Sequence, residues 1–131
     1  MSISTRQYQD IMNEYDATRR RNYMAEQERK ERIYALIPEI RQIDEEIAHV
    51  SVTKAKEMLF KKISDADAKK ALQQTIYNLS MEKINLLAIH NFPADYLDPI
   101  YDCPECKDTG YIGDKKCSCF QQKLRQLLYS Q

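Results

Sequence analysis

Residues 103–119 read Cys103-Pro104-Glu105-Cys106-Lys107-Asp108-Thr109-Gly110-Tyr111-Ile112-Gly113-Asp114-Lys115-Lys116-Cys117-Ser118-Cys119, and this stretch decides how the rest of the chain is read. All 4 cysteines of the protein lie inside it, in the pattern C-x2-C-x10-C-x-C. The first pair sits at the two ends of a tight turn, and Gly110 can supply the positive φ that lets the chain bend back. Tyr111-Ile112 reads as a short strand and Gly113-Asp114 as a two-residue hairpin turn. Lys115 to Cys117 then returns beside it. In extended chain Cys117 and Cys119 would point to one face, so the hairpin carries the second thiol pair toward the first. Four thiolates close a tetrahedral zinc site, and a closed site is structural rather than catalytic. One structural zinc ion on Cys103, Cys106, Cys117 and Cys119 is therefore expected. Free thiols, a redox pair or an iron–sulfur cluster are the competing readings, although ferredoxin spacings are absent. His90 is a remote substitute ligand; it and His49 read as ordinary helix residues.

Working outward, Cys119 falls near the start of a last helix, to about Tyr129, that would bury Phe120, Leu124, Leu127 and Leu128. Before the cysteines, Asn91 to Tyr101 is apolar and aromatic with two prolines. It reads as a docked connector with a helical turn at Ala94 to Leu97, Phe92, Tyr96, Leu97 and Ile100 pinning the cysteine-rich unit to helices upstream. Ser64-Asp65 is a turn and cap signal, and a helix is predicted from about Asp65 to Ile89, with Leu72, Ile76, Leu79 and Leu86 on one seam and Tyr77, Ile84 and Leu87 beside it.

Ile33, Leu36, Ile37, Ile40, Ile43, Ile47 and Val50 keep another helical stripe, which Pro38 either kinks or restarts. Ser51-Val52-Thr53 is unfavourable for helix, and Ala55, Met58 and Leu59 carry a shifted face beyond it. The two stripes supply each other's burial as an antiparallel hairpin. At the N-terminus, Tyr8, Ile11, Met12 and Tyr15 recur at i, i+3, i+4 and i+7 in a helix over residues 5 to about 18, with Ser4 or Thr5 as N-cap. Arg19 to Arg32 reads as an exposed connecting helix whose Arg19-Arg20-Arg21 run is a solvated face or, less simply, a phosphate contact.

Composition agrees with this order. Only 2 glycines stand in 131 residues, too few for the turns of a sandwich or barrel, so the bulk of the chain is helical. The predicted class is mainly α: a helical hairpin or bundle, a small C-terminal zinc-binding β-hairpin (a zinc knuckle) and a final helix. The division expected is a helical region over 1–90 and a zinc unit with its terminal helix over 91–131. With 20 basic and 20 acidic residues the formal net charge is zero, which removes the footprint of a nonspecific nucleic-acid binder. A phosphate-binding loop cannot be built from Gly110 and Gly113, three residues apart. No catalytic triad assembles, so no enzymatic activity is expected of this chain alone. The first residues lack the apolar run of a signal peptide and no stretch is long enough to span a membrane. A cytoplasmic protein is expected, where clustered thiols stay reduced and bind metal.

One block is more specific than this. The run F-P-x-D-Y-L-x-P-I-Y-x-C-P-x-C-K-D-T-G-Y-I from Phe92, followed by C-x-C-F-x-Q-K to Lys123, resembles the region before the ATPase domain of bacterial replicative helicase loaders, the DnaC/DnaI-type, IstB-like ATP-binding proteins. I-P-E-I-x-x-I-D-x-E-I at Ile37 to Ile47 is also similar to that family, so the match covers about residues 33 to 131. The resemblance implies an N-terminal helical, zinc-containing loader domain whose zinc ligands fall on Cys103, Cys106, Cys117 and Cys119. It implies as partner the hexameric replicative helicase, with single-stranded DNA in the full-length context, and an ATPase core outside this chain. Under that reading Tyr8, Ile11, Met12 and Tyr15 are the expected helicase-contacting stripe, by helix-in-groove docking; packing inside a bundle is the alternative. Two further functions stay open. One is a single-stranded nucleic-acid-binding zinc module, using Lys107, Lys115, Lys116, Lys123 and Arg125 with Tyr111 and Phe120 stacked on bases. The other is the N-terminal targeting module of a transposition helper ATPase.

Overall fold

The computed structural model describes residues 3–60 and 65–129; the cap signal at Ser64 lies outside them. It is mainly helical, with four helices and one two-stranded hairpin: α1 Thr5–Leu36, α2 Pro38–Phe60, α3 Asp65–Ile89, β1 Tyr111–Ile112, β2 Lys115–Lys116 and α4 Ser118–Tyr129.

α1 opens on a capping box. The Gln7 N–H donates to Ser4 Oγ at 3.1 Å and the Ser4 N–H donates to Gln7 Oε1 at 3.0 Å, which satisfies two otherwise unpaired donors. Ser4 is thus the cap. The amphipathic stretch and the charged stretch that follows it form one long N-terminal helix of 32 residues. No glycine or proline interrupts it, and Pro38 ends it by disfavouring helical backbone at Ile37. Pro38 then takes the first position of α2, where its missing N–H is no loss.

α2 runs through Ser51-Val52-Thr53 without a break, contrary to the weak point expected there. Each β-branched residue disfavours helix by only a few tenths of a kcal/mol. Ser51 turns its hydroxyl onto the Ile47 carbonyl at 2.8 Å. α3 ends in a Schellman motif. Asn91 stands at φ 66, the Phe92 N–H reaches the Leu87 carbonyl at 2.8 Å, and the Asn91 N–H reaches Ala88 at 3.0 Å.

Two compact units emerge, one from Arg29 to Leu97, the other from the residues up to Glu28 with those from Asp98 onward. They do not follow the sequential division at residue 90, because α1 contributes residues to both. In the Arg29–Leu97 unit, Ile33, Ile37, Ile40 and Leu87 are fully buried, and Tyr34, Leu86, Phe92, Tyr96 and Leu97 pack on them. Lys83 Nζ meets Asp44 Oδ1 at 2.7 Å while Leu87 clusters with Ile40, so α2 and α3 run antiparallel. Tyr34 also donates to Asp44. Burial, then that hydrogen bond to a carboxylate, raises the Tyr34 pKa above the ordinary phenol value. The expected turn at Ala94 to Leu97 is present, and the Phe92 and Tyr96 rings lie 4.9 Å apart. Tyr77, placed beside the seam by periodicity, is exposed.

Candidate metal centre

The second unit has few apolar residues to spend on a core. Its buried cluster is Ile11, Tyr15, Cys106, Cys117 and Phe120, with Ile3, Tyr8, Met12, Cys103, Cys119, Leu124 and Leu127 against it. α4 sets Phe120 at the centre of this cluster, while Leu128, expected inside, is 38% exposed.

The turn after Cys103 is built by backbone geometry that side chains rarely adopt. Lys107 and Asp108 both have positive φ, at 55° and 61°, and Gly110 follows at 86°. Asp108 explains why that conformation holds. Its buried carboxylate accepts the Cys103 N–H at 2.8 Å, the Asp102 N–H at 3.0 Å and the Asn22 amide at 3.1 Å. A carboxylate with three donors is a fixed post for the loop, as a buried charge requires. The hairpin forms in the expected register, Tyr111 opposite Lys116 and Ile112 opposite Lys115, with Gly113 at φ 64 in the turn. The Cys117 N–H donates to the Gly110 carbonyl at 2.9 Å, closing the hairpin onto the knuckle. Cys117 and Cys119 do not share the face of an extended strand. Cys119 lies in the first turn of α4 and Cys117 just before it, so the helix start brings them together.

All four cysteine sulfurs lie within 4.8 Å of one another. Cys103 Sγ is 3.7 Å from Cys117 Sγ, and Cys106 Sγ is 3.6 Å from Cys119 Sγ. A tetrahedron with sulfurs ~2.3 Å from its centre has edges of about 3.8 Å. The spacing therefore matches one ion among four sulfurs, and the donor set fits a metal ion that prefers thiolates. Burial, with the neighbouring sulfurs, pushes the Cys119 thiol up to about 12. Burial also raises Cys106, but the Gly110 N–H and the adjacent thiols outweigh it and hold that thiol at about 7. Four thiols this close do not ionise together unaided; a divalent cation reverses that by favouring every thiolate. His49 and His90 are both exposed and belong to no such group.

The residues expected as a partner-binding stripe turn inward. Ile11 and Tyr15 are each 1% exposed, and Tyr8 and Met12 pack half-buried against the same cluster. This corrects the helix-in-groove assignment: two of its four residues have no surface to offer, and the bundle-packing alternative describes the stripe. Tyr15 Oη lies 2.8 Å from Cys119 Sγ, and Tyr8 and Tyr111 share a hydroxyl–hydroxyl bond at 2.9 Å. Farther along α1 the polar side chains grip the knuckle. Arg19 donates to the Asp108 carbonyl at 2.7 Å, Arg21 pairs with Asp102, and Glu26 accepts the Ile100 N–H at 2.7 Å. Asn22, then Arg21, hold the Asp102 carboxyl below the usual carboxylate range. Two arginines of the supposedly solvated run are thus used internally. The base-stacking reading loses one of its two aromatics as well. Phe120 is fully buried, and Tyr111 is half-buried beside it with ring centroids 6.2 Å apart.

Asp108, Asn22 and Glu26 are site residues that sequence reasoning missed, and Tyr15 was given to a partner face rather than to the sulfurs. For those on α1 the signal is the i, i+4, i+7, i+11 run of Tyr15, Arg19, Asn22 and Glu26, and three of these are polar; nothing in the residue order singles out Asp108. No family model, curated protein or solved structure matches the chain. Among the described residues, no helix is long and apolar enough to cross a membrane.

Proposed function

We propose that this chain is a zinc-stabilised protein-interaction module and that its partner is the hexameric replicative helicase, as the resemblance to helicase loader N-terminal domains implies. The observation that carries the metal half is the set of four sulfurs within 4.8 Å, with opposite edges of 3.6 and 3.7 Å. Four thiolates leave no open coordination position, so the ion holds structure and performs no chemistry. Zinc is the ion that favours such a closed four-cysteine set. The partner half rests on the Phe92–Lys123 and Ile37–Ile47 motifs.

With the α1 stripe occupied internally, the partner face moves to the end of α2. Val52, Leu59 and Phe60 recur at i, i+7 and i+8, with Leu59 76% and Phe60 80% exposed. Such a stripe of exposed large apolar residues suits insertion into a groove of a larger protein. Native mass spectrometry of the chain, with and without chelator and then mixed with the cognate helicase, tests both halves. One zinc per chain and a stable complex are the expected result. Leu59→Asp/Phe60→Asp abolishes the complex while the zinc stays bound. A metal-free folded chain would overturn the first half, and a complex indifferent to the double substitution would overturn the face.

A further inference from the structure

Tyr15 stands apart from every other residue around the sulfurs. It comes from α1, 88 positions before the first cysteine in the sequence, yet its hydroxyl lies 2.8 Å from Cys119 Sγ. The ring is 1% exposed and stacks on Phe120, with centroids 6.3 Å apart and planes inclined by 22°. Lys123 Nζ covers the ring from 5.1 Å. On the remaining side the chain itself makes room. A Cβ placed on Gly110 would sit 2.8 Å from the Tyr15 ring, closer than real Cβ contacts occur, so the knuckle approaches the ring only because residue 110 is glycine. The hydroxyl is held where it is by packing on all these sides rather than by chance rotation.

The geometry points to Tyr15 as a positioning residue of the metal centre, its hydroxyl donating to the Cys119 thiolate. This deepens the zinc reading and rests on it. A metal-bound thiolate has no proton, so the hydroxyl is the donor. A charge-assisted hydrogen bond of this kind draws electron density from the sulfur and fixes its direction. Outer-shell bonds to ligands orient them and tune the metal's hold, and their loss typically weakens metal affinity about 10- to 100-fold. Here the bond also joins α1 to the centre, so a ligand on α4 and a helix far upstream in sequence share one contact.

Tyr15→Phe keeps the ring and removes only the donor. Its matched control is Tyr8→Phe, which deletes a hydroxyl from the same helix and the same cluster but from a bond to Tyr111, not to sulfur. Both variants and the parent protein are loaded with Co²⁺, whose thiolate charge-transfer absorption reports electron density at the sulfurs. Tyr15→Phe is expected to move that absorption to lower energy and to release Zn²⁺ to a competing chelator about tenfold faster. Tyr8→Phe is expected to leave both unchanged. A Tyr15→Phe spectrum that superimposes on the parent's, or a Tyr8→Phe protein that shifts equally, overturns the positioning role while leaving the metal centre in place. A parent protein that takes up no Co²⁺ overturns the metal centre and the positioning role together.

Discussion

The two units of this chain solve the same problem with different means. Arg29–Leu97 buries Ile33, Ile37, Ile40 and Leu87 with aromatic cover from Phe92 and Tyr96, and its helices hold by apolar contact. The other unit buries five residues at its centre, and two of these are cysteines. Its hairpin has strands of two residues each, far below what is stable alone. Burial suffices where apolar residues recur over long helices. Where the chain is short and turn-rich, thiols and a buried carboxylate take the place of the missing core, and the thiols are spaced so that a cation could tie them.

Removing the metal should break that comparison most widely. Cys106→Ser, or chelation, is expected to abolish amide exchange protection in the knuckle, the hairpin and α4, because structural zinc binding is worth on the order of 10 kcal/mol of folding free energy. The amides of α2 and α3 should stay protected. Loss of protection in both units at once would show that their separation by contact does not extend to stability.

The converse substitution comes next. Ile40→Ala removes a fully buried side chain from the helical unit and should destabilise it by about 2–5 kcal/mol in denaturant unfolding. Zinc content measured by atomic absorption should not change.

Gly110→Ala tests the join between backbone and ring. The added methyl meets Tyr15 at 2.8 Å in a left-handed conformation, and the expected destabilisation of the metal unit is about 1–3 kcal/mol. Faster zinc loss to chelator should accompany it; an unaltered rate would mean that the ring yields freely.

The smallest effect is the pH dependence that Tyr34 gives to the helical unit. Because the folded pKa of Tyr34 lies above its unfolded value, its contribution is complete below about pH 10 and is lost as pH rises beyond that. Thermal melts followed upward from pH 9 should show a steeper fall for the parent protein than for Tyr34→Phe.

Much of this was legible from residue order alone. The four cysteines, the Tyr111–Lys116 hairpin and the limits of α3 follow from local signals: spacing, a Gly-Asp turn and apolar periodicity. Pro38 was legible as a boundary, though not which of its two roles it takes. What escaped reading depends on side chains meeting across long stretches of sequence. Nothing in the order of Ile11 and Tyr15 says whether an apolar stripe faces a partner or the chain's own cysteines. Asn22 and Glu26 look solvated because they are polar, yet far downstream the Ile100 N–H needs an acceptor and the Asp102 and Asp108 carboxylates need a donor, and these residues meet those needs. The Ser51–Thr53 segment misled for the opposite reason: local propensity is weak, and packing elsewhere along α2 overrides it.

Asn91 has a consequence beyond the cap it forms. Because the stop of α3 is written in its own last residues, the phase of Leu87 against Ile40 does not depend on what the chain does next. A single residue gained or lost between Ile89 and Phe92, by contrast, would rotate the aromatic cover away from the isoleucines it shields.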